Sequence, residues 1–248
     1  MAKYEPNIKI PCVYMRGGTS KAVFFRDEDL PQDPAERDRV ILSAFGSPDR
    51  RQIDGMGGAN TSTSKVAIIK KSDRPGIDVD YDFGQVDVMA PIVGKTMNCG
   101  NISSAVGPYA IDEGLVEAVE PMTEVHIFNT NTQKEIIAQV PVENGRFMSE
   151  GDFAIDGVPG TASKVTLKFV EPQGAASGKL LPTGHVKDTI EIDGKSYEYS
   201  FVDAANPVIF VHPEDFGVKG TEIPSEFNAL PDCKEIMHEL SHPALVIY

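Results

Sequence analysis

Cysteine is scarce in this sequence, and the few thiols do not cluster. Cys12, Cys99 and Cys233 lie far apart, with no Cys-x-x-Cys pair and no Cys/His group. That pattern indicates neither a disulfide framework nor a zinc site, and it fits reduced thiols in the cytoplasm. Basic residues are also short: 23 Lys and Arg against 37 Asp and Glu leave a net charge of −14. Nucleic-acid binding needs basic patches that release counterions, so this balance disfavours it. A site for an anion must then make its positive potential locally, from helix ends and a few lysines. Long apolar runs are missing too: stretches such as Val66-Ala67-Ile68-Ile69 fall far short of a membrane span. The opening Met1-Ala2-Lys3-Tyr4-Glu5-Pro6 has no apolar signal region, so export is not expected. What is present is a hydrophobic content of 41%, enough for a packed core in one large domain or two ordinary ones.

The stretch Met97-Asn98-Cys99-Gly100-Asn101-Ile102-Ser103-Ser104-Ala105-Val106-Gly107-Pro108-Tyr109 carries the most chemistry. A thiol precedes a glycine and an amide, then small and apolar residues follow at helical spacing. This order puts Cys99 at a helix entrance. Free backbone N–H groups and the positive dipole end there favour a thiolate or a bound carboxylate. A lone cysteine at such a place is, more ordinarily, just a small buried residue. Ile102, Ala105, Val106, Tyr109 and Ala110 share one face, and Gly114 suits the helix end. Pro108 is expected to kink the helix or end its regular part early. Ser103 and Ser104 are placed to hydrogen-bond a ligand or merely to cap.

Two glycine-rich stretches precede it. Arg16-Gly17-Gly18-Thr19-Ser20-Lys21 lies between short strands read at Ile8–Ile10, Cys12–Met15 and Ala22–Phe25. It forms either a tight turn exposing N–H groups or an ordinary hairpin. Gly55 to Lys65 is neither a Walker loop, since no helix follows the lysine, nor a dinucleotide fingerprint. It delivers Lys65 to the start of the strand Val66–Ile69. A lysine buried there must be paired or partly deprotonated; otherwise it is a surface residue at a strand edge. Between the two lies a scaffold helix, with Asp33 as cap, Pro34 and Glu36 in its first turn, and Gly46 at its end.

Ile77–Phe83 and Val86–Met89 read as paired strands turning at Gly84-Gln85, with further strands at 124–128, 135–140, 165–169, 189–192, 197–202 and 208–211. The Gly-, Ser- and Pro-rich segment 172–184 marks a boundary, which predicts domains over 1–183 and 184–248. Asn206, before Pro207, is biased towards an extended backbone that aims its amide outward. A helix over 232–240 and a core strand over 244–248 complete the reading.

Five stretches together resemble the PrpF family of 2-methylaconitate, 3-methylitaconate and oxalomesaconate isomerases. They are Met15 to Lys21, Thr61 to Ile68, Asn98 to Pro108, Gly178 to Gly184 and Asp203 to Pro207. The resemblance implies a diaminopimelate epimerase-like α+β fold. Such a fold has two similar domains, each a curled, mostly antiparallel sheet around a central helix, with the active site in the cleft between. Only residues 185–248 follow Gly184, so an incomplete second domain is expected. Cys99-Gly100-Asn101 is similar to the epimerase's first cysteine motif, and Asn206-Pro207 to its substrate-binding Asn-Pro. The family pattern implies Lys65 and Cys99 as the catalytic pair. Gly18, Thr19, Ser20, Ser64, Gly100, Asn101, Ser103 and Asn206 are then the expected substrate contacts. No metal or organic cofactor is implied. The expected partner is a small anionic carboxylate, with neither nucleic acid nor membrane, and a homodimer is allowed. The resemblance also implies a place in propionate catabolism through the methylcitrate cycle.

Unsaturated di- and tricarboxylates have acidic allylic C–H bonds, because the dienolate spreads its charge onto a carboxylate. Isomerisation needs one group to take a proton, one to return it, and N–H donors to hold the charge. Lys65 and Cys99 fit the first two tasks; the helix start at Gly100–Asn101 and the loop at Gly18–Ser20 fit the third. A thiolate–ammonium pair makes Cys99 the base, whereas neutral Lys65 as base requires strong desolvation. Such a pair titrates as a unit, so both assignments stay open. Two other functions compete. One is a non-catalytic carboxylate- or partner-binding protein, to which the short second domain points. The other is an epimerase in which Cys233 faces Cys99.

Overall fold

The computed structural model describes residues 9–230 and, beyond them, residues 235, 237 and 238. The chain divides into two units, the first ending at Glu171 and the second beginning at Pro172.

The first unit opens on a hairpin of β1 (Val13–Gly17) and β2 (Ser20–Arg26). No strand forms at residues 9–12, and Ile8 lies outside the described residues. The scaffold helix α1 (Pro34–Phe45) starts as its sequence predicts. Asp33 Oδ1 accepts the Glu36 N–H at 2.9 Å, and Gly46 ends the helix at φ 71°, a left-handed conformation that glycine adopts without steric cost. There follow β3 (Lys65–Lys71), β4 (Val79–Val86), β5 (Val93–Gly94), α2 (Gly100–Asp112), β6 (Met122–Asn129), β7 (Lys134–Glu143), β8 (Arg146–Phe147) and β9 (Thr166–Phe169). All nine strands join one sheet, antiparallel except at β2–β3 and β4–β6.

Strand alternation sorts this sheet's side chains into two cores. Val23, Phe25, Val66 and Ile68 pack with Ile41 and Phe45 of α1. Ala22, Phe24, Ala67, Ile69, Tyr81 and Phe83 turn the other way, onto Ile102, Val106 and Tyr109 of α2. Strands from both ends of the sheet, β1 as well as β7, β8 and β9, touch α2. The sheet therefore curls around that helix.

Two sequence expectations need correcting. Gly84-Gln85 is not a turn: β4 runs straight through it. A Cβ on Gly84 would lie 2.6 Å from a Val66 methyl and 2.8 Å from a Val93 methyl, so the glycine serves close packing within a strand. Nor does Pro108 end its helix, which continues to Asp112. Pro108 and Ser104 both line a cavity beside α2. The carbonyl left without a partner by the proline ring therefore does not need an apolar burial site.

In the second unit, β10 (Asp188–Ile192), β11 (Lys195–Ala204) and β12 (Asn206–Val211) form an antiparallel sheet over a small core of Ile192, Tyr197, Tyr199 and Phe201. After β12 come a 3-10 turn (Pro213–Phe216) and the short helix α3 (Pro224–Phe227). Among the described residues this unit has no central helix like α2. The helix expected over 232–240 falls outside the described residues except at 235, 237 and 238, and the strand over 244–248 falls wholly outside them.

The segment that follows Pro172 is tied to β11 by backbone hydrogen bonds and by one side chain. Asp203 is fully buried, and its Oδ2 accepts from the N–H groups of Ala176 (2.9 Å) and Ser177 (2.7 Å) and from Ser177 Oγ (2.9 Å). The segment read as a boundary is thereby fastened to β11. Asp203→Ala is expected to destabilise this unit by about 2 kcal/mol, because charge-assisted bonds are lost and buried donors are left unpaired. Hydrogen exchange checks this: the amides of Ala176 and Ser177 should lose protection roughly tenfold or more, and unchanged protection would refute it.

Candidate functional site

The site is built around the entrance to α2, where Cys99 is the N-cap residue with an extended backbone (φ −120°, ψ 102°). Its thiol makes no capping bond. Neighbouring side chains hold the N-cap residue itself in place. Asn98 Oδ1 accepts from the Cys99 N–H at 2.7 Å and from Asn129 Nδ2 at 3.1 Å. Ser103 Oγ lies 3.0 Å from the Cys99 carbonyl and 3.2 Å from Asn98 Oδ1. The half-buried thiol is thus held at the helix start by a buried polar frame without being part of it. Tyr81 stands beside this frame, directly across the β4–β6 ladder from Asn129. Burial first, and the Cys99 thiol second, hold its phenol well above the ordinary range, so it remains a neutral hydroxyl.

Lys65 is the first residue of β3, registered between Ala22 and Gln85. By alternation with Ala67 and Ile69 it projects on the face covered by α2. It is buried, with 9% of its surface exposed. Its Nζ donates to Gln85 Oε1 at 2.6 Å and lies 5.3 Å from the centre of the Phe83 ring. The preceding loop is gathered by Gln52, whose buried Oε1 accepts from the Ala59 N–H (2.7 Å) and Ser64 Oγ (2.6 Å).

The hairpin tip docks on the same helix start. Asn101 Nδ2 donates to Thr19 Oγ1 at 3.1 Å, and Gly18 adopts φ 49°. Arg16 Nη1 donates to the Gly18 carbonyl at 2.8 Å. A cavity of about 310 Å³ opens between this tip, α2 and residues 147–165, with Arg16, Gly18, Gly100, Asn101, Ser104 and Ser163 in its wall. Arg16 supplies the positive charge there.

The expected site residues therefore divide. Gly18, Gly100 and Asn101 meet at the cavity, with Thr19 bonded to Asn101. Lys65 and Cys99 belong to the sheet face and helix end that pack together. Ser64 and Ser103 are both fully buried, and their hydroxyls bond Gln52 and the α2 entrance. Ser20 is 3% exposed and offers a ligand little surface. Asn206 begins β12, extended as expected, and belongs to the second unit. Cys233 lies outside the described residues. Sequence reading missed Arg16, Gln52, Tyr81, Gln85, Asn98 and Asn129 as site residues. Only the strand register could have brought Tyr81, Gln85 and Asn129 into view.

Among the described residues, no three His, Cys, Asp or Glu side chains are grouped as metal ligands would be, and no helix is long and apolar enough to cross a membrane.

Comparison with known proteins gives this geometry a lineage. The family model described as PrpF protein matches residues 7–240. A 3-methylitaconate isomerase of Eubacterium barkeri is 51% identical over 233 residues, 94% of this chain and 61% of that protein. A 2-methyl-aconitate isomerase of Cupriavidus necator is 44% identical over 255 residues, 97% of this chain and 64% of that one. The chain thus spans less than two thirds of the length of these curated relatives. The crystal structure of a methylitaconate-delta-isomerase, 53% identical, superposes with a TM-score of 0.74 over 90% of this chain and 58% of its own. A probable proline racemase from Agrobacterium radiobacter, 14% identical, shares the fold at a TM-score of 0.53 over 85% of this chain and 54% of its own. On the family match, the relatives and the curled sheet around α2, the chain belongs to the PrpF family and has the fold of the proline racemases and diaminopimelate epimerases.

Proposed function

We propose that this chain carries the site of an isomerase for small unsaturated di- and tricarboxylates, of the methylitaconate and 2-methylaconitate type, in which Lys65 and Cys99 move an allylic proton. The observation that carries this reading is the thiol of Cys99, unused by capping at the entrance to α2, on the sheet face from which Lys65 projects. The first N–H groups of α2 have no intrahelical partner and point towards a ligand at that end. They stabilise the charge of a dienolate, while Arg16 at the cavity pairs with a carboxylate arm. The net reaction is redox-neutral: one C–H bond breaks, one forms, and the double bond shifts between them.

Incubation with cis- and trans-aconitate and their methylated analogues in heavy water tests the reading. Proton spectra should show allylic hydrogens exchanging and the double bond migrating. Binding by calorimetry with unchanged spectra over hours would replace this reading with a non-catalytic carboxylate binder. Deuterium entering an amino-acid stereocentre would replace it with an epimerase.

A further inference from the structure

The polar group facing Lys65 is an amide, and the amide is itself held in one orientation. Gln85 Nε2 donates to the carbonyls of Thr61 (3.1 Å) and Ser64 (2.9 Å). Its two donor hydrogens are therefore both used, and Oε1 is the end left for Nζ at 2.6 Å. The reversed amide would set an NH2 group against an ammonium and an oxygen against two carbonyls, so the hydrogen-bond network decides the orientation.

We propose that Gln85 is the positioning residue of Lys65: it fixes the amine in place through a neutral oxygen, so that the lysine is immobilised without being locked in its charged form. This rests on the reading of Lys65 as a catalytic acid or base. Among the described residues no carboxylate lies within ion-pair distance of Lys65. The titratable and charged groups on the elements packed against that face are few. β4 presents Tyr81, a neutral phenol, and α2 presents Cys99. At the far end of the same face lie Arg26 of β2, Lys71 of β3, and Tyr109 and Glu113 at the end of α2; Arg26 pairs with Glu113. The ring of Phe83 favours a cation but carries no charge. A carboxylate at position 85 would have nearly the same shape. It would place a full negative charge against the ammonium and make proton release much harder. The short bond then supplies geometry, and the neutrality of its acceptor keeps the proton exchangeable.

Competitive acylation of the full chain, read by mass spectrometry across pH, tests this without needing turnover. Gln85→Glu should move the pH at which Lys65 becomes reactive upward by about one unit, a roughly tenfold fall in labelling at fixed pH. Gln85→Leu, which removes the acceptor, should move it downward. Exposed Lys187 should label unchanged in both. Opposite shifts are a signature that a merely structural residue would not give; coincident profiles, or shifts of one sign in both variants, would overturn the proposal. In turnover assays Gln85→Glu should move the Lys65-dependent limb of the pH–kcat profile upward by the same amount. That limb is the high-pH one if Lys65 is the acid and the low-pH one if it is the base. Full turnover in Lys65→Met would remove the catalytic reading alone, leaving the labelling shifts to decide whether Gln85 sets the state of the amine.

Discussion

Replacing Cys99 by serine is expected to remove turnover by about a thousandfold or more while leaving the fold as stable as before or slightly more so. The two effects have opposite signs for one reason. Cys99 occupies an N-cap with the extended backbone that serine prefers, yet its thiol makes no capping bond. A serine hydroxyl there can accept a free N–H of the first turn, a gain of up to about 1 kcal/mol. Had the residue been only a cap or a filler, serine would be the better choice. Lys65→Met should also abolish turnover, but with a stability cost of about 1–3 kcal/mol, because Gln85 Oε1 is left without its donor. Residues that act as one unit are not additive, so the double variant should be little worse than either single one. Turnover above a tenth of the parent in Cys99→Ser, with an unchanged melting temperature, would end the proposed mechanism.

Much of this architecture was legible because local rules sufficed. Asp33, Pro34 and Gly46 specified α1 within a few residues, and the spacing after Cys99 located α2. What failed depended on neighbours distant in sequence. Gly84 has the same letter in a turn and in a strand, and only Val66 and Val93 on adjoining strands decide between them. Pro108 is tolerated because its side of α2 faces a cavity, which one helix's sequence cannot reveal. The polar frame was hidden for the same reason: Asn129 reaches Asn98 across 31 positions, and Gln85 reaches Lys65 across 20. The catalytic candidates could be read from chain order, whereas the residues that hold them required the register of the sheet.

Gly17→Ala is expected to be the most damaging small substitution near the site, because it sets a rigid strand against a rigid helix. Gly17 ends β1 with a negative φ, so conformational freedom is not what the position demands. Space is. An added Cβ would fall well inside van der Waals contact of the Asn101 carbonyl oxygen, 3.0 Å from Ile102 Cα and 3.2 Å from Ala105 Cβ. These are helix backbone atoms and a core methyl, none of which can swing aside as a long side chain would. The start of α2 is also tied to the hairpin through Asn101 and Thr19, and to β6 through Asn98 and Asn129. Strain of this kind costs about 3 kcal/mol. Because Cys99 sits at the displaced helix end, a shift of the order of 1 Å should lower turnover about a hundredfold as well. Gly100→Ala is the control. Its Cβ would meet only the Phe169 ring at 3.7 Å, an ordinary contact, and alanine suits the first turn of a helix better than glycine. Denaturant unfolding should therefore show Gly17→Ala well below the parent and Gly100→Ala level with it or above. Equal midpoints for the two variants would mean that the hairpin does not press on α2 and does not fix the position of Cys99.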